Sequence, residues 1–175
     1  ILARVNQTGY YNPEPGTDGT WRTDPTLSGG GVLAETGCHR IDLLGCLLGD
    51  IESARGYAAK VHWDYLGDDS SAFALRFASG AHATLNINWN IGVGVDDIEI
   101  YGTEGALRAV GLDSGALTLE KGGSVTDLRQ PRLPFTHTGL VRNFVAHLRT
   151  GEPICCTGRD ALQTAQAIED IYAQD

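Results

Sequence analysis

Glu35, His39 and Asp42 are the residues of this sequence whose types and spacing could move a proton. At about 100° per residue on a helix they fall within about 60° of one another, one narrow stripe. A carboxylate one turn from a histidine can orient the imidazole, and an unperturbed histidine, with a pKa near ~6.5, suits acid–base work at neutral pH. The same pair also fits a plain i, i+4 interaction worth roughly 0.2–0.5 kcal/mol, with Asp42 as a surface neighbour. A shared metal ion is a third reading, with His62, His82 or His137 approaching in space. No second compact His or Cys cluster accompanies the stripe, so no metal is expected.

The stripe needs a helix, and the stretch from residue 32 to 48 has the pattern of one, closed by the stop signal Gly49-Asp50. Val32, Leu33, Ala34, Cys38, Ile41, Leu43, Leu44, Leu47 and Leu48 surround the rest of the cylinder, so the helix is expected to be largely buried. Gly29, Gly30 and Gly31 precede it and permit close approach of a ligand or another domain; Gly30 and Gly31 are the candidate cofactor contacts. They lack the spacing of a phosphate-binding loop. Upstream, "NPEPGTDGTWRTDPTLSGGG" has the composition of a long irregular connection, and its Trp21 and Arg22 are candidate substrate contacts. His137, in "QPRLPFTHTG", is another, as is Asp42 itself.

From residue 51 to about 128 the period changes to two. "IESARGYAAKVHW", "SSAFALRFASG", "AHATLNINWNI", "VDDIEIYGTEG", "ALRAVG", "ALTLEK" and "SVTDLR" read as successive strands. In the clearest of them Leu85, Ile87, Trp89 and Ile91 alternate with Thr84, Asn86, Asn88 and Asn90. Two helices follow, "THTGLVRNFVAHLRTG" and "GRDALQTAQAIEDIYAQD", the second with Leu162, Ala165, Ile168 and Ile171 or Tyr172 at helical spacing. The expected fold is α+β: a mainly antiparallel open sheet with helices packed on one face, in one domain over residues 1–175. The other sheet face, if apolar, would meet a second copy, so a homo-oligomer through the sheet is expected.

A net charge of -9 and a sequence pI near 4.9 argue against a nucleic-acid partner. No apolar run reaches the roughly 20 residues of a membrane span, and no secretory leader is evident, so a cytoplasmic setting is expected. Cys38, Cys46, Cys155 and Cys156 have no metal-type pairing and fit a reducing compartment. The sequence contains no Met and opens in what reads as mid-strand, so it is expected to be a piece of a longer product.

The stretch "SGGGVLAETGCHRIDLLGCLLGD" resembles the second signature of the Gfo/Idh/MocA oxidoreductases: three glycines, three residues, an acidic residue, x, Gly, x, His, two residues, Asp. Gly29 to Gly31, Glu35, Gly37, His39 and Asp42 stand in that register. "IEIYGTEGALR" and "FVAHLRTGEPICCTGRDALQTAQAIEDIYAQ" are similar to the family's late strand and closing helices. The resemblance implies the C-terminal substrate and oligomerisation domain of an NAD- or NADP-dependent enzyme acting on a sugar or polyol. Its dinucleotide-binding Rossmann domain, and the Glu-Lys-Pro motif whose lysine shares the proton task, would lie outside this sequence. It implies His39 as the acid/base group, Glu35 as its carboxylate partner and Asp42 as the signature's last position. Many family members have Asp where this chain has Glu35. An NAD-dependent glycosidase of the same family, or a non-catalytic binding or dimerisation module, are the alternatives.

Overall fold

Between residues 82 and 88 every second side chain is buried: Ala83, Leu85 and Ile87 face inward while His82, Thr84 and Asn86 face solvent. That alternation sets the plan of the molecule. The computed structural model describes residues 1–174; the last residue of the closing stretch, Asp175, lies outside the described residues. The strands are β1 (Leu2–Tyr10), β2 (Ile51–Ala59), β3 (Ser70–Phe77), β4 (His82–Asn88), β5 (Asn90–Gly102), β6 (Gly105–Val110), β7 (Leu117–Lys121) and β8 (Ser124–Asp127). They form one sheet in the order β2-β3-β4-β1-β5-β6-β7-β8. All pairings are antiparallel except β1 with β4, because β1 is inserted between two strands that follow each other in sequence. The α+β architecture expected from the sequence is the observed one.

The helical segments are α1 (Pro25–Ser28), a π-helical turn (Leu33–Gly37) running into α2 (Cys38–Leu48), α3 (Thr138–Thr150) and α4 (Gly158–Tyr172). A single core joins Val5, Leu33, Ile41, Leu44, Leu75, Leu85, Ile87 and Ile171, each worth about 1.5–3 kcal/mol of apolar burial. It lies between the sheet and the pair α2 and α4.

Several expectations need correction. The helix through residues 33–48 is amphipathic and not largely buried: Leu33, Gly37, Ile41, Leu44 and Leu48 face the core, while Leu47 is 53% exposed. α4 packs along it and the sheet lies beneath its first turn. In α4 the buried face is Thr164, Ala167 and Ile171, and Leu162 is 65% exposed. Ile91 does not share the inward face of Leu85 and Ile87, because β4 ends at Asn88 and the chain passes into β5. The strand expected to reach Trp63 leaves the sheet at Ala59.

The uncovered face carries a charged ladder across its middle, beside the exposed side chains of Leu2, Tyr57 and Val125. Arg4 and Glu99 pair across β1 and β5, and Arg108 reaches Glu99 at 3.6 Å and Glu120 at 2.6 Å. Beside this ladder Asn86 donates to Asn6 at 3.0 Å. α3 has no buried residue; Val141, Phe144, Val145 and Leu148, at one helical spacing, are all exposed.

Candidate active site

Glu35 sits on the π-helical turn Leu33–Gly37, a rare conformation that inserts one residue into a helical run and often marks a functional site. The glycines before it are shaped by the chain itself. Gly29 has φ +82 and ends α1 in the left-handed conformation. A Cβ at Gly30 would lie 2.3 Å from the Tyr172 hydroxyl, and one at Gly31 would lie 2.1 Å from the Asp68 carbonyl oxygen. Both are buried. The close approach they allow is made within the chain by Asp68 and Tyr172.

Asp68 and Tyr172 close the start of the signature helix. The Asp68 carboxylate accepts from the Gly31 N–H at 2.8 Å, the Leu33 N–H at 2.9 Å and the Tyr172 hydroxyl at 2.7 Å. The Gly31 N–H also approaches the Tyr172 oxygen at 3.3 Å. Two donors at the start of a helical run, which have no partner within it, are thus satisfied by a carboxylate 35 and 37 residues away. Burial, and then the adjacent Asp68 charge, push the Tyr172 phenol well above its usual range, so it stays a donor.

Arg22, in the 3₁₀ turn Thr20–Thr23, donates from Nε to Glu35 Oε2 at 3.0 Å. Its guanidinium carbon sits 4.5 Å from the centroid of the Trp21 ring. A hydrogen bond to the Tyr11 side chain, and then Glu35, raise the Arg22 pKa further above its already high value, so the cation is permanent. The long connection thus brings Trp21 and Arg22 to Glu35, two of the expected site residues to a third. The expected pairing of Glu35 with His39 is not made: Arg22 takes the carboxylate instead. Among the described residues His39 makes no side-chain hydrogen bond, and its side chain is exposed one turn beyond Glu35. The next residue fixes the rotation of the helix. Arg40 Nε and Nη2 both donate to Asp96 Oδ1, at 3.1 and 2.6 Å, tying α2 to β5 and leaving His39 outward.

Asp42 and His137 go elsewhere. Asp42 lines a cavity of about 520 Å³ between α2 and the start of α4, with Cys46, Cys155, Cys156 and Asp160; neither Glu35 nor His39 lines it. His137 precedes α3 and borders a shallow hollow with Phe135, Val141 and Val145, whose lining includes neither Glu35 nor His39. Among the described residues no group of three or more His, Cys, Asp or Glu is arranged to hold a metal ion.

A second carboxylate organises the loop between β2 and β3. Asp69 is fully buried and accepts the N–H groups of Val61, His62 and Trp63 at 2.9, 2.8 and 2.7 Å, with the Asn90 amide at 3.0 Å. Burial alone would push its carboxyl up; these donors outweigh that and hold it below the usual carboxylate range. This is why β2 stops at Ala59: residues 61–63 give their N–H groups to Asp69 and not to a neighbouring strand. Asp68 and Asp69 were not singled out from the sequence, and Tyr172 was read only as a packing position of the last helix. The available signal was two adjacent acids following Gly67 at the mouth of an apolar strand.

The sequence model of the GFO/IDH/MocA C-terminal domain matches residues 2–108. The chain belongs to the Gfo/Idh/MocA family. Oxidoreductase P35 of Formosa agariphila is 26% identical over 173 residues, covering 97% of this chain and 51% of the relative. The aldose-aldose oxidoreductase of Caulobacter crescentus, solved with glycerol, superposes with a TM-score of 0.84 at 20% identity, covering 98% of this chain and 52% of that one. The WlbA dehydrogenase of Bordetella pertussis, solved with NADH and UDP-GlcNAcA, gives a TM-score of 0.80 at 23% identity over 98% of this chain and 53% of that one. These structural likenesses establish the Gfo/Idh/MocA fold. The chain spans about half the length of the curated relative it matches. No helix among the described residues is long and apolar enough to cross a membrane.

Proposed function

We propose that this chain is the substrate-holding half of an NAD- or NADP-dependent oxidoreductase that oxidises a secondary hydroxyl of a sugar or polyol. The observation that carries the reading is the Arg22–Glu35 pair, 3.0 Å apart, set one turn before an exposed and unengaged His39. Oxidising a secondary alcohol requires its hydroxyl proton to leave as hydride leaves carbon. His39 is the acceptor of that proton. Glu35, paired with Arg22, accepts a hydrogen bond from a neighbouring hydroxyl, while the Arg22 Nη groups donate to another, so a diol-bearing substrate is oriented by one donor and one acceptor.

Gly30 and Gly31 pack against Tyr172 and Asp68, which supports placing the dinucleotide on another domain. The cofactor, which supplies the hydride acceptor, is assigned to a Rossmann domain outside this chain. The exposed apolar stripe of α3 is the surface we assign to that domain, given relatives about twice as long as the chain and no cover for the stripe within it. A second copy is assigned to the open sheet face. The alternating Arg4, Glu99, Arg108 and Glu120 charges can pair across a two-fold axis, so association there should weaken with salt.

The test is to supply the longer protein with NAD or NADP and a panel of polyols and sugars. Net formation of reduced cofactor matched by ketone supports the reading. Released sugar without net reduction would replace it with glycoside cleavage, and no turnover of either kind would overturn it.

A further inference from the structure

Asp68 is buried and Tyr172 half-buried, and together they hold the turn on which Glu35 stands. The Asp68 carboxylate gathers three donors from two other parts of the chain: Gly31 and Leu33 at the start of the π-helical turn, and Tyr172 at the end of α4. The Asp68 backbone is engaged as well, since its carbonyl accepts from the Val32 N–H at 2.8 Å. Gly31, Val32 and Leu33 therefore all donate to one residue. Gly67 packs against the same turn, where its Cβ would lie 3.0 Å from the Gly31 Cα. A π-helical turn has poorer intrinsic geometry than the α-helix it interrupts and persists only where surrounding contacts determine it.

We infer that Asp68 and Tyr172 are positioning residues that lock the Leu33–Gly37 turn and thereby set Glu35 against Arg22. The role rests on the reading of Glu35 as a substrate contact, but the lock itself is a property of the chain. Glu35 lies two residues past Leu33, whose N–H is fixed by Asp68, and its own N–H donates to the Gly31 carbonyl at 3.0 Å. Both ends of the Gly31–Glu35 segment are thus referred to one carboxylate. Without the Tyr172 hydroxyl, Asp68 Oδ1 loses a side-chain donor, Gly31 loses an acceptor at 3.3 Å and Gly30 loses the group packed against it. The turn then loses part of the support for its π geometry, and relaxing by one residue would rotate Glu35 away from Arg22.

The experiment uses Tyr172→Phe, which removes one oxygen and keeps the ring, and Asp68→Asn. Leu44→Ala, a core change on α2, serves as a control matched for loss of melting temperature. The readout is the Arg22 Nε–H resonance in the nuclear magnetic resonance spectrum, a signature of the Arg22–Glu35 bond. Loss of that signal in Tyr172→Phe, with its retention in Leu44→Ala, is the expected result. Should Asp68→Asn fail to fold, Tyr172→Phe alone decides. A signal retained in Tyr172→Phe, or lost equally in Leu44→Ala, would overturn the lock. In the longer enzyme Tyr172→Phe should lower kcat about 10-fold or more with cofactor affinity unchanged. A lost signal with unaltered kcat would leave the lock standing and remove Glu35 from the reaction.

Discussion

The loop between β2 and β3 and the segment that ends in α3 both lie outside the sheet, and they are built on opposite principles. In the loop, two buried carboxylates are saturated with donors: Asp68 ties the loop to the signature turn and α4, and Asp69 ties it to itself. In α3 nothing is buried and an apolar stripe faces outward. Burying a charge costs several kcal/mol unless it is fully paired, so a saturated buried carboxylate marks a part whose position this chain determines by itself. An exposed apolar stripe marks a part whose position is completed by something else.

The comparison breaks first at the glycines. Gly31→Ala puts a methyl group 2.1 Å from the backbone of Asp68, which has no freedom to yield, and should cost about 3 kcal/mol or more in denaturant unfolding. Gly139→Ala in α3 meets nothing within 4 Å and should be neutral or stabilising by up to about 1 kcal/mol. Equal costs at the two positions would remove the distinction. Next in size, Asp69→Ala strips the buried acceptor from three half-buried backbone N–H bonds and should cost about 2–3 kcal/mol by urea titration, with residues 60–69 gaining amide exchange.

Acid should separate the regions as well. The Asp69 carboxyl is held below its unfolded value of about 3.9, so its contribution is complete above that pH and is lost as pH falls through the lower folded value. Unfolding midpoints at successively lower pH below about 4 should decline less steeply in Asp69→Asn than in the wild type, and identical slopes would contradict the assignment. The smallest effect is expected in α3: Phe144→Ser should change the stability of this chain by no more than about 0.5 kcal/mol. In the longer protein the same change should lower the melting temperature, and no difference there would deny α3 a partner.

What the sequence disclosed follows the same division. The alternation of Leu85 and Ile87 with Thr84 and Asn86 was legible because a strand's periodicity is local. Three consecutive glycines before a helix announced a close approach, but its maker was not legible: Asp68 is 37 residues from Gly31 and Tyr172 is 141 away. Likewise the i, i+4 spacing pointed Glu35 at His39, whereas a tertiary contact with Arg22, 13 residues upstream, takes the carboxylate. Trp63 reads as strand by composition and is drawn out of the sheet by a carboxylate six residues later. The α4 face was misread because the apolar Leu162 is left in solvent while Thr164 is buried beside the cavity between α2 and α4.

The central claim is that His39, exposed and unengaged beside the Arg22–Glu35 pair, takes the proton of the substrate hydroxyl. The most direct test compares His39→Asn with wild type in the longer enzyme, measuring turnover and cofactor affinity together. The account predicts a fall in kcat of at least about 100-fold with the dissociation constant of the cofactor unchanged. Turnover within twofold of wild type would contradict it.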